Sequence, residues 1–545
     1  MCHEYIMETI LNPLEKTIAQ KKEKLIMTVN DILETEQLKY CYEQAYALHR
    51  HTEIPAMFVR KTDTVFTLPS AGDRTVGWDV INEKFCGELY YVSPNEDSFH
   101  TGWQICTPLL WEDPDGEIHG IFPTFGFLVL SMDPETMKPP YPVLSTLELW
   151  QDRFARSEGQ LRIHDLQAQF LLGQCVHRWD PAGDTGFAVR KLLREIPHPV
   201  LGRSSVNAAG TTESSGNLLP EDSVSNMTPS VTGSFGGMLY GVQSAMSLYT
   251  LLWQCGRMQE IPEQLFCDAE DISASYDKEE NAENRSAVKA FYRKMQDKIA
   301  GDTIFLRVDM PATQWIEASE DGQSAAGRWI TMTRKITPSE KGNLYSIGIG
   351  AFENTFVRCG GSWKIKSIRY TTLQEFAPYD ETPDMNLENY RKNPAGWLPE
   401  HPELPMISDR GMTERTLQIL RLRNEILSWF YRYSCETSGT AVFPCRSKNA
   451  QDQIRAALSD SSFILATSPV IRMERDLTKA EAFFSVTLIK DTSPDSMTYV
   501  RGSIFITLEK GKKSFEILDF SWYPYASLDP LRKQLTLTDS SAAAP

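Results

Sequence analysis

One phrase, written three times, constrains the fold of this chain more than any other feature. EGQLRIHDLQA at 158–168, GGSWKIKSIRY at 360–370 and GKKSFEILDFS at 511–521 each place polar turn residues ahead of a large apolar residue, a charged one and an isoleucine. Such alternation after a turn spells a strand leaving a hairpin. The isoleucines, Ile163, Ile365 and Ile517, stand 202 and then 152 residues apart, so each phrase can close a domain of ordinary size. A chain of 545 residues is too long for one hydrophobic core and has room for three.

Segments without hydrophobic periodicity mark the joints. Residues 202–237 are rich in Gly, Ser, Thr and Asn and offer little to bury, the composition of a flexible linker. Pro378, Pro383, Pro394, Pro399, Pro402 and Pro405 favour an extended connector. The organisation expected is an N-terminal helical extension (1–29), a first block (30–178), a flexible linker (179–237), a second block (238–377), a proline-rich linker (378–411), a third block (412–526) and a disordered tail (527–545).

The first two blocks match at both ends. Helical patterns from Leu38 to Phe58 and from Leu248 to Phe266 each run into Glu-Ile-Pro and close on Phe. From Glu53 and Glu260 to the closing strands at 161 and 363 the distances are 108 and 103 residues, so the register holds across the block. Between the ends lie the hairpin sequences TPLLWEDPDGEIHGIF at 107–122 and MPATQWIEASEDGQSAAGRW at 310–329, each with an Asp-Gly turn. The third block opens on the helix ERTLQILRLRNEILSWFYRY and has a hairpin pattern at SPVIRMERDLTKAEAFFSV. It lacks the Glu-Ile-Pro tag and is shorter, as a copy that has lost part of its helical or loop region would be. Helix first and long strands afterwards make the fold class α+β.

Composition narrows the function. A net charge of −17 repels phosphate backbones, and no Lys/Arg stripe with interleaved aromatics offsets it; nucleic acid is not an expected partner. The run KKEK at 21–24 reads as a solvated helix face. Ten cysteines without a C-x-x-C pair or a Cys/His cluster at zinc spacing suit a reduced, cytoplasmic protein, and Asn226 and Asn284 then carry no glycosylation meaning. No apolar run reaches membrane-spanning length, and early charges interrupt any signal peptide. No Gly-rich dinucleotide fingerprint follows a strand, so no cofactor is expected.

This arrangement resembles the SnoaL-like branch of the nuclear transport factor 2-like superfamily, which includes polyketide cyclases, ketosteroid isomerase and scytalone dehydratase-type enzymes. HTEIPAMF at 51–58 behind a Tyr-rich helix, the two hairpins and the WKI-type final strand carry the resemblance across blocks one and two. They mark a scaffold and not a catalytic signature. The resemblance implies three tandem cone-shaped α+β barrels, each a bent antiparallel sheet wrapped around a long N-terminal helix with an open mouth for a small hydrophobic molecule. It also implies an Asp, His or Tyr on the pocket side of the first helix and a second His on the strands.

Histidine usage says which copy could comply. His49, His51, His100, His119 and His164 fall in the first block and none falls in the second or third. At about 100° per residue, Leu38, Cys41, Ala45 and Leu48 share a stripe that faces the sheet, while Tyr42, Tyr46 and His49 form a second stripe at the pocket edge or in water. Removing a proton beside a carbonyl, or water from a β-hydroxy ketone, needs a base near neutrality and a donor for the oxyanion. Candidate catalytic residues are therefore Tyr46, His49, His51, His100, His119 and His164, with Tyr42, Trp78, Trp103, Trp253 and Trp315 as candidate ligand-binding residues. His49-x-His51 has no further ligands at metal spacing, so no metal is expected.

Two readings stay open: a cofactor-independent lyase or isomerase with its chemistry in the first block, and a non-catalytic ligand-binding or scaffold protein. A homo-oligomer through sheet faces, or pairing among the internal copies, is the expected assembly.

Overall fold

The computed structural model describes residues 26–48, 50–67, 74–88, 100–113, 115–129, 141–179, 235–277, 280–300, 306–339, 342–375, 404–436, 439–490, 498–512 and 514–530. The N-terminal extension up to residue 25, most of both linkers, the tail beyond residue 530 and His49 lie outside them. The architecture is mixed α+β with several sheets and few helices.

Three long helices each precede a set of long antiparallel strands. Helix α1 (Val29–Ala47) precedes β1 (His100–Ile105), β2 (Leu109–Glu112), β3 (Ile118–Val129), β4 (Tyr141–Ser157) and β5 (Gln160–Trp179). Helix α2 (Phe235–Gln254) precedes β6 (Leu306–Ala318), β7 (Ser324–Ser339), β8 (Gly342–Cys359) and β9 (Ser362–Glu375). Helix α3 (Glu414–Cys435) precedes β10 (Ser461–Met473), β11 (Lys479–Lys490), β12 (Thr498–Lys510) and β13 (Phe515–Pro530). Caps start the helices where the sequence supplies them: the Thr28 hydroxyl accepts from the Asp31 amide, and that of Thr413 from the Thr416 amide.

The repeated phrase is the last strand of each unit. Its isoleucine receives the chain returning from the helix through one isolated parallel bridge: Phe58 to Ile163, Phe266 to Ile365, Cys445 to Ile517. The Phe that closes the Glu-Ile-Pro tag thus has a partner in the phrase itself. In the third unit, which lacks the tag, a cysteine holds the same place. That unit has a helix at Lys448–Leu458 where the second has a two-stranded hairpin (Ser273–Tyr276 with Glu280–Glu283) and a longer helix at Arg285–Ala300. Positive φ at Glu158 and Gly159, and again at Gly360 and Gly361, makes the tight turn into the phrase in the first two units.

The units dock head to tail in a closed circuit. On α2, the Ser247 hydroxyl lies 3.0 and 2.7 Å from the carbonyls of Thr107 and Pro108 in the first unit. On α3, Asn424 exchanges hydrogen bonds of 3.0 and 2.8 Å with the backbone of Ile316 in the second. On α1, the Gln44 amide donates at 2.7 Å to the carbonyl of Ser468 in the third. Three heterologous contacts of one kind that return to the start form a ring and not an open filament. The first and third sheets also join edge to edge, at Arg178–Asp529 and His177–Pro530.

Ring closure changes what α1 can be. The sequence leaves Tyr42 and Tyr46 at a pocket edge or in water, yet every residue from Glu36 to Leu48 is buried. One face of the helix meets its own sheet and the other meets the third unit. Among the described residues no helix is long and apolar enough to cross a membrane.

A close approach in the second unit ties the repeated phrase to its helix. A Cβ on Gly241 would stand 2.3 Å from Cδ1 of Trp363, the tryptophan of GGSWKIKSIRY. Alanine normally gains about 1 kcal/mol over glycine inside a helix, but overpacking costs typically ~1–3 kcal/mol. Gly241→Ala is therefore expected to lower the urea midpoint; a raised midpoint would show that Trp363 can move aside freely.

Candidate active site in the first unit

Two alternations converge inside the first unit. Lys39, Tyr42 and Tyr46 follow the helical period along one stripe of α1. Glu148, Trp150 and Asp152 alternate along β4 onto one face of its sheet. Trp103 on β1 and His51, in the short 3-10 helix after α1, complete a closely packed aromatic cluster around buried charges. The Tyr42 ring lies 6.1 Å from Trp150, Trp103 lies 5.0 Å from Trp150, and Tyr46 lies 4.6 Å from Trp103 and 5.0 Å from His51, on which it stacks.

The charges inside are held individually. The Lys39 ammonium stands 2.6 Å from the Asp152 carboxylate, both side chains being almost fully buried. It also lies 4.2 Å from the Trp150 ring centre, a cation–π contact in a desolvated place. Glu148 accepts two indole N–H groups, one on each oxygen: Trp103 Nε1 at 2.9 Å and Trp150 Nε1 at 3.1 Å. Two indole donors fix the plane of the carboxylate and leave further lone pairs for a reacting proton.

Burial sets the proton affinities. Desolvation lifts Glu148 to about 7, against the opposing pull of its hydrogen bonds and of Lys39. It lifts Asp152 to about 6, with Lys39 pulling the other way, and burial lowers Lys39 while Asp152 raises it. On the far side of α1, Glu43 is likewise lifted to about 7 by burial, and Ser485 of the third unit donates to both its oxygens at 3.1 and 2.9 Å. A carboxyl that titrates near neutrality among buried aromatic rings can take a proton and return it, which is the chemistry of a general base.

The residues marked in the sequence are distributed unevenly around this chamber. Tyr42, Tyr46, His51 and Trp103 line it. His164 faces the other side of the sheet, with Arg153 Nη2 2.7 Å and Asp165 Oδ1 3.0 Å from its Nδ1, and hydrogen bonding to Asp165 raises its pKa. His119 pairs with Asp113 at 2.8 Å and stacks on Trp111 in the β2–β3 hairpin. His100 begins β1, its side chain outside the described residues. Trp78 is half-buried, donates to the Pro55 carbonyl and stacks under Arg60. Trp315 sits between Arg328 and Arg432 where the second and third units meet.

Trp253 belongs to the equivalent chamber of the second unit, with Tyr249, Tyr276, Tyr292 and Tyr370. There Arg307 lies 3.8 Å from the Tyr370 ring centre and is held by both Asp309 oxygens, at 3.2 and 3.0 Å. The Tyr249 hydroxyl and the Trp253 N–H are buried without a hydrogen-bond partner among the described residues.

Sequence reasoning missed Lys39, Glu43, Glu148 and Asp152. A usable signal was present: Lys39 shares a helical stripe with Tyr42 and Tyr46, and LELWQDRF puts two carboxylates on the same strand face as Trp150. Among the described residues no three His, Cys, Asp or Glu side chains gather as a metal-holding group.

Residues 241–369, about a quarter of the chain, match the SnoaL-like domain family. That match lies on α2 and its sheet, in the second unit and not around the acidic chamber of the first. Among solved structures the chain is similar to a scytalone dehydratase-like protein of Novosphingobium aromaticivorans (19% identity, 27% of this chain and 90% of that one, TM-score 0.22). It is similar to ActVI-ORFA of Streptomyces coelicolor (14% identity, 25% and 98%, TM-score 0.21). A third is the hexachlorocyclohexane dehydrochlorinase LinA-type3 of Novosphingobium barchaimii (11% identity, 27% and 92%, TM-score 0.22). No curated protein sequence matches the chain.

Proposed function

We propose, for a chain whose residues 241–369 are a SnoaL-like domain, that the three units are tandem copies of one cone-shaped domain and that the first is a cofactor-independent lyase or isomerase of the dehydratase or cyclase type. Its substrate is a small hydrophobic molecule, carbonyl-bearing or polycyclic. The observation that carries this reading is Glu148, a buried carboxylate aligned by two indole N–H groups and lifted to about 7. Glu148 takes the proton from the carbon beside the carbonyl, and the Tyr46 hydroxyl is the donor for the enolate oxygen. In an isomerisation the Glu148 proton returns to another carbon; in a dehydration it leaves with the β-hydroxyl as water. Lys39 and Asp152 set the field around the base. The described cysteines are free thiols, which supports a reducing compartment, the cytoplasm.

Ligand binding tests this reading before any substrate is known. A ligand at 100 times its Kd stabilises the folded chain by about 2.7 kcal/mol. One or more compounds from a panel of phenols and polycyclic ketones is expected to raise the melting temperature of the wild type, and Trp103→Ala to lose that rise. No shift with any compound would remove the reading.

The second unit favours the other reading for itself. Its chamber has no histidine and holds its own cation, Arg307, between aromatic rings. Its unpartnered Tyr249 hydroxyl and Trp253 N–H suit a non-catalytic pocket for a ligand that offers an oxygen acceptor.

A further inference from the structure

One helical position recurs in all three units and is filled differently in each. Gln243 follows Glu36 by 207 residues, as Phe266 follows Phe58 by 208; Arg423 follows Gln243 by 180, as Cys445 follows Phe266 by 179. The three side chains leave α1, α2 and α3 and meet at the centre of the ring, each buried. Arg423 donates to Glu36 Oε2 and Gln243 donates to Glu36 Oε1. Tyr240 donates to Glu36 at 3.1 Å, and Arg423 Nη2 lies 3.5 Å from Gln243 Oε1. A cavity of about 20 Å³ beside them is lined by residues of all three units, among them Tyr40, Gln314 and Ser468.

Three identical units would place one residue type on this axis three times. Three buried glutamates or three buried arginines repel one another with no counter-charge, at a cost of several kcal/mol per ion. This chain has an anion, a neutral amide and a cation, which sum to zero and supply both donors and acceptors. The docking contacts have diverged in the same way, with Gln44, Ser247 and Asn424 each fitted to a different strand.

We propose that Glu36, Gln243 and Arg423 are a pairing code: the axis face of each unit fits only the other two units of the same chain, and the ring closes without a second copy. The partner of each axis face is thereby fixed by charge, independently of any ligand or catalysis.

Charge exchange in the full chain tests this. Arg423→Glu and Glu36→Arg are each expected to lower the melting temperature by roughly 10 °C, and the double variant Glu36→Arg/Arg423→Glu to recover most of that loss. Losses that merely add in the double variant, or singles that match the wild type, would overturn the code. If the charge-reversed singles do not fold, Glu36→Gln, Arg423→Gln and their double carry the same cycle. The double is then expected to be more stable than Arg423→Gln, which strands a buried carboxylate; a double less stable than that single would contradict the proposal. Refolding the two reversed singles together tests closure within one chain. The expected result is no rescue; rescue in the mixture would mean that units pair between copies.

Discussion

Lys39→Met is expected to cost the chain about 3–4 kcal/mol of stability at neutral pH, the largest loss from any single change in the first chamber. Methionine keeps most of the side-chain volume, so packing is not the cause. The change removes the ammonium that stands over the Trp150 and Phe122 rings and leaves the buried Asp152 with its counter-ion gone. The carboxyl then protonates, which for an ordinary carboxylate costs about 4 kcal/mol at pH 7 and sets the ceiling. Because the folded-state affinity of Asp152 for a proton is raised, the sign is fixed: the variant is closest to wild type in acid and falls away as pH rises. Urea unfolding at pH 5 and pH 7 should show the smaller loss at pH 5. Lys39→Met combined with Asp152→Leu should recover most of the stability, since a buried pair replaced whole is often neutral. A loss that is equal at both pH values would mean that Lys39 acts by packing alone.

Glu148→Gln is expected to remove catalysis, by 10²- to 10⁴-fold for loss of a general base, while leaving the fold intact at pH 8. The folded Glu148 has a pKa of about 7, above the ordinary glutamate value. Its contribution to stability is therefore complete below about pH 4.5 and is lost as pH rises through 7, up to about 3 kcal/mol over that window. Glutamine does not titrate, so the variant should show a flatter profile of stability against pH. It offers one acceptor where the carboxylate offers two, so one indole N–H goes unpaired, at about 1 kcal/mol. The variant is then weaker than wild type near pH 5 and equal to it or stronger at pH 8. Inactivity above pH 7 would thus report lost chemistry and not an unfolded chain.

The strand phrase and the hairpins were legible because period-two alternation between turn residues is a local signal. The structure has RIHDL, KIKSI and FEILD in the last strand of each unit, and in the first two the Phe that closes the Glu-Ile-Pro tag is bridged to the phrase. The faces of α1 were not legible. Gln44 meets Ser468 across 424 residues of chain, and nothing near Gln44 announces that its side of the helix is covered. Glu148 and Asp152 are hidden in the sequence for a related reason: charges alternating on a strand ordinarily point to water, and only the packing shows that here they point inward. The histidines stand out by residue type, yet His119 and His164 have their own acidic partners outside the chamber. The axis triad needs the Cys445–Ile517 bridge to set the register of the third unit, which carries no tag to align.

Hydrogen exchange at carbon tests the central claim most directly. The wild-type chain is incubated in deuterated buffer with polycyclic ketones that carry protons beside the carbonyl, and deuterium uptake is followed by NMR from pH 5 to pH 9. The account predicts catalysed exchange whose rate climbs to a plateau with an inflection near pH 7, as Glu148 loses its proton, and at least a hundredfold loss of that rate in Glu148→Gln. Exchange that persists in Glu148→Gln, or no catalysed exchange with any ketone that binds, would contradict it.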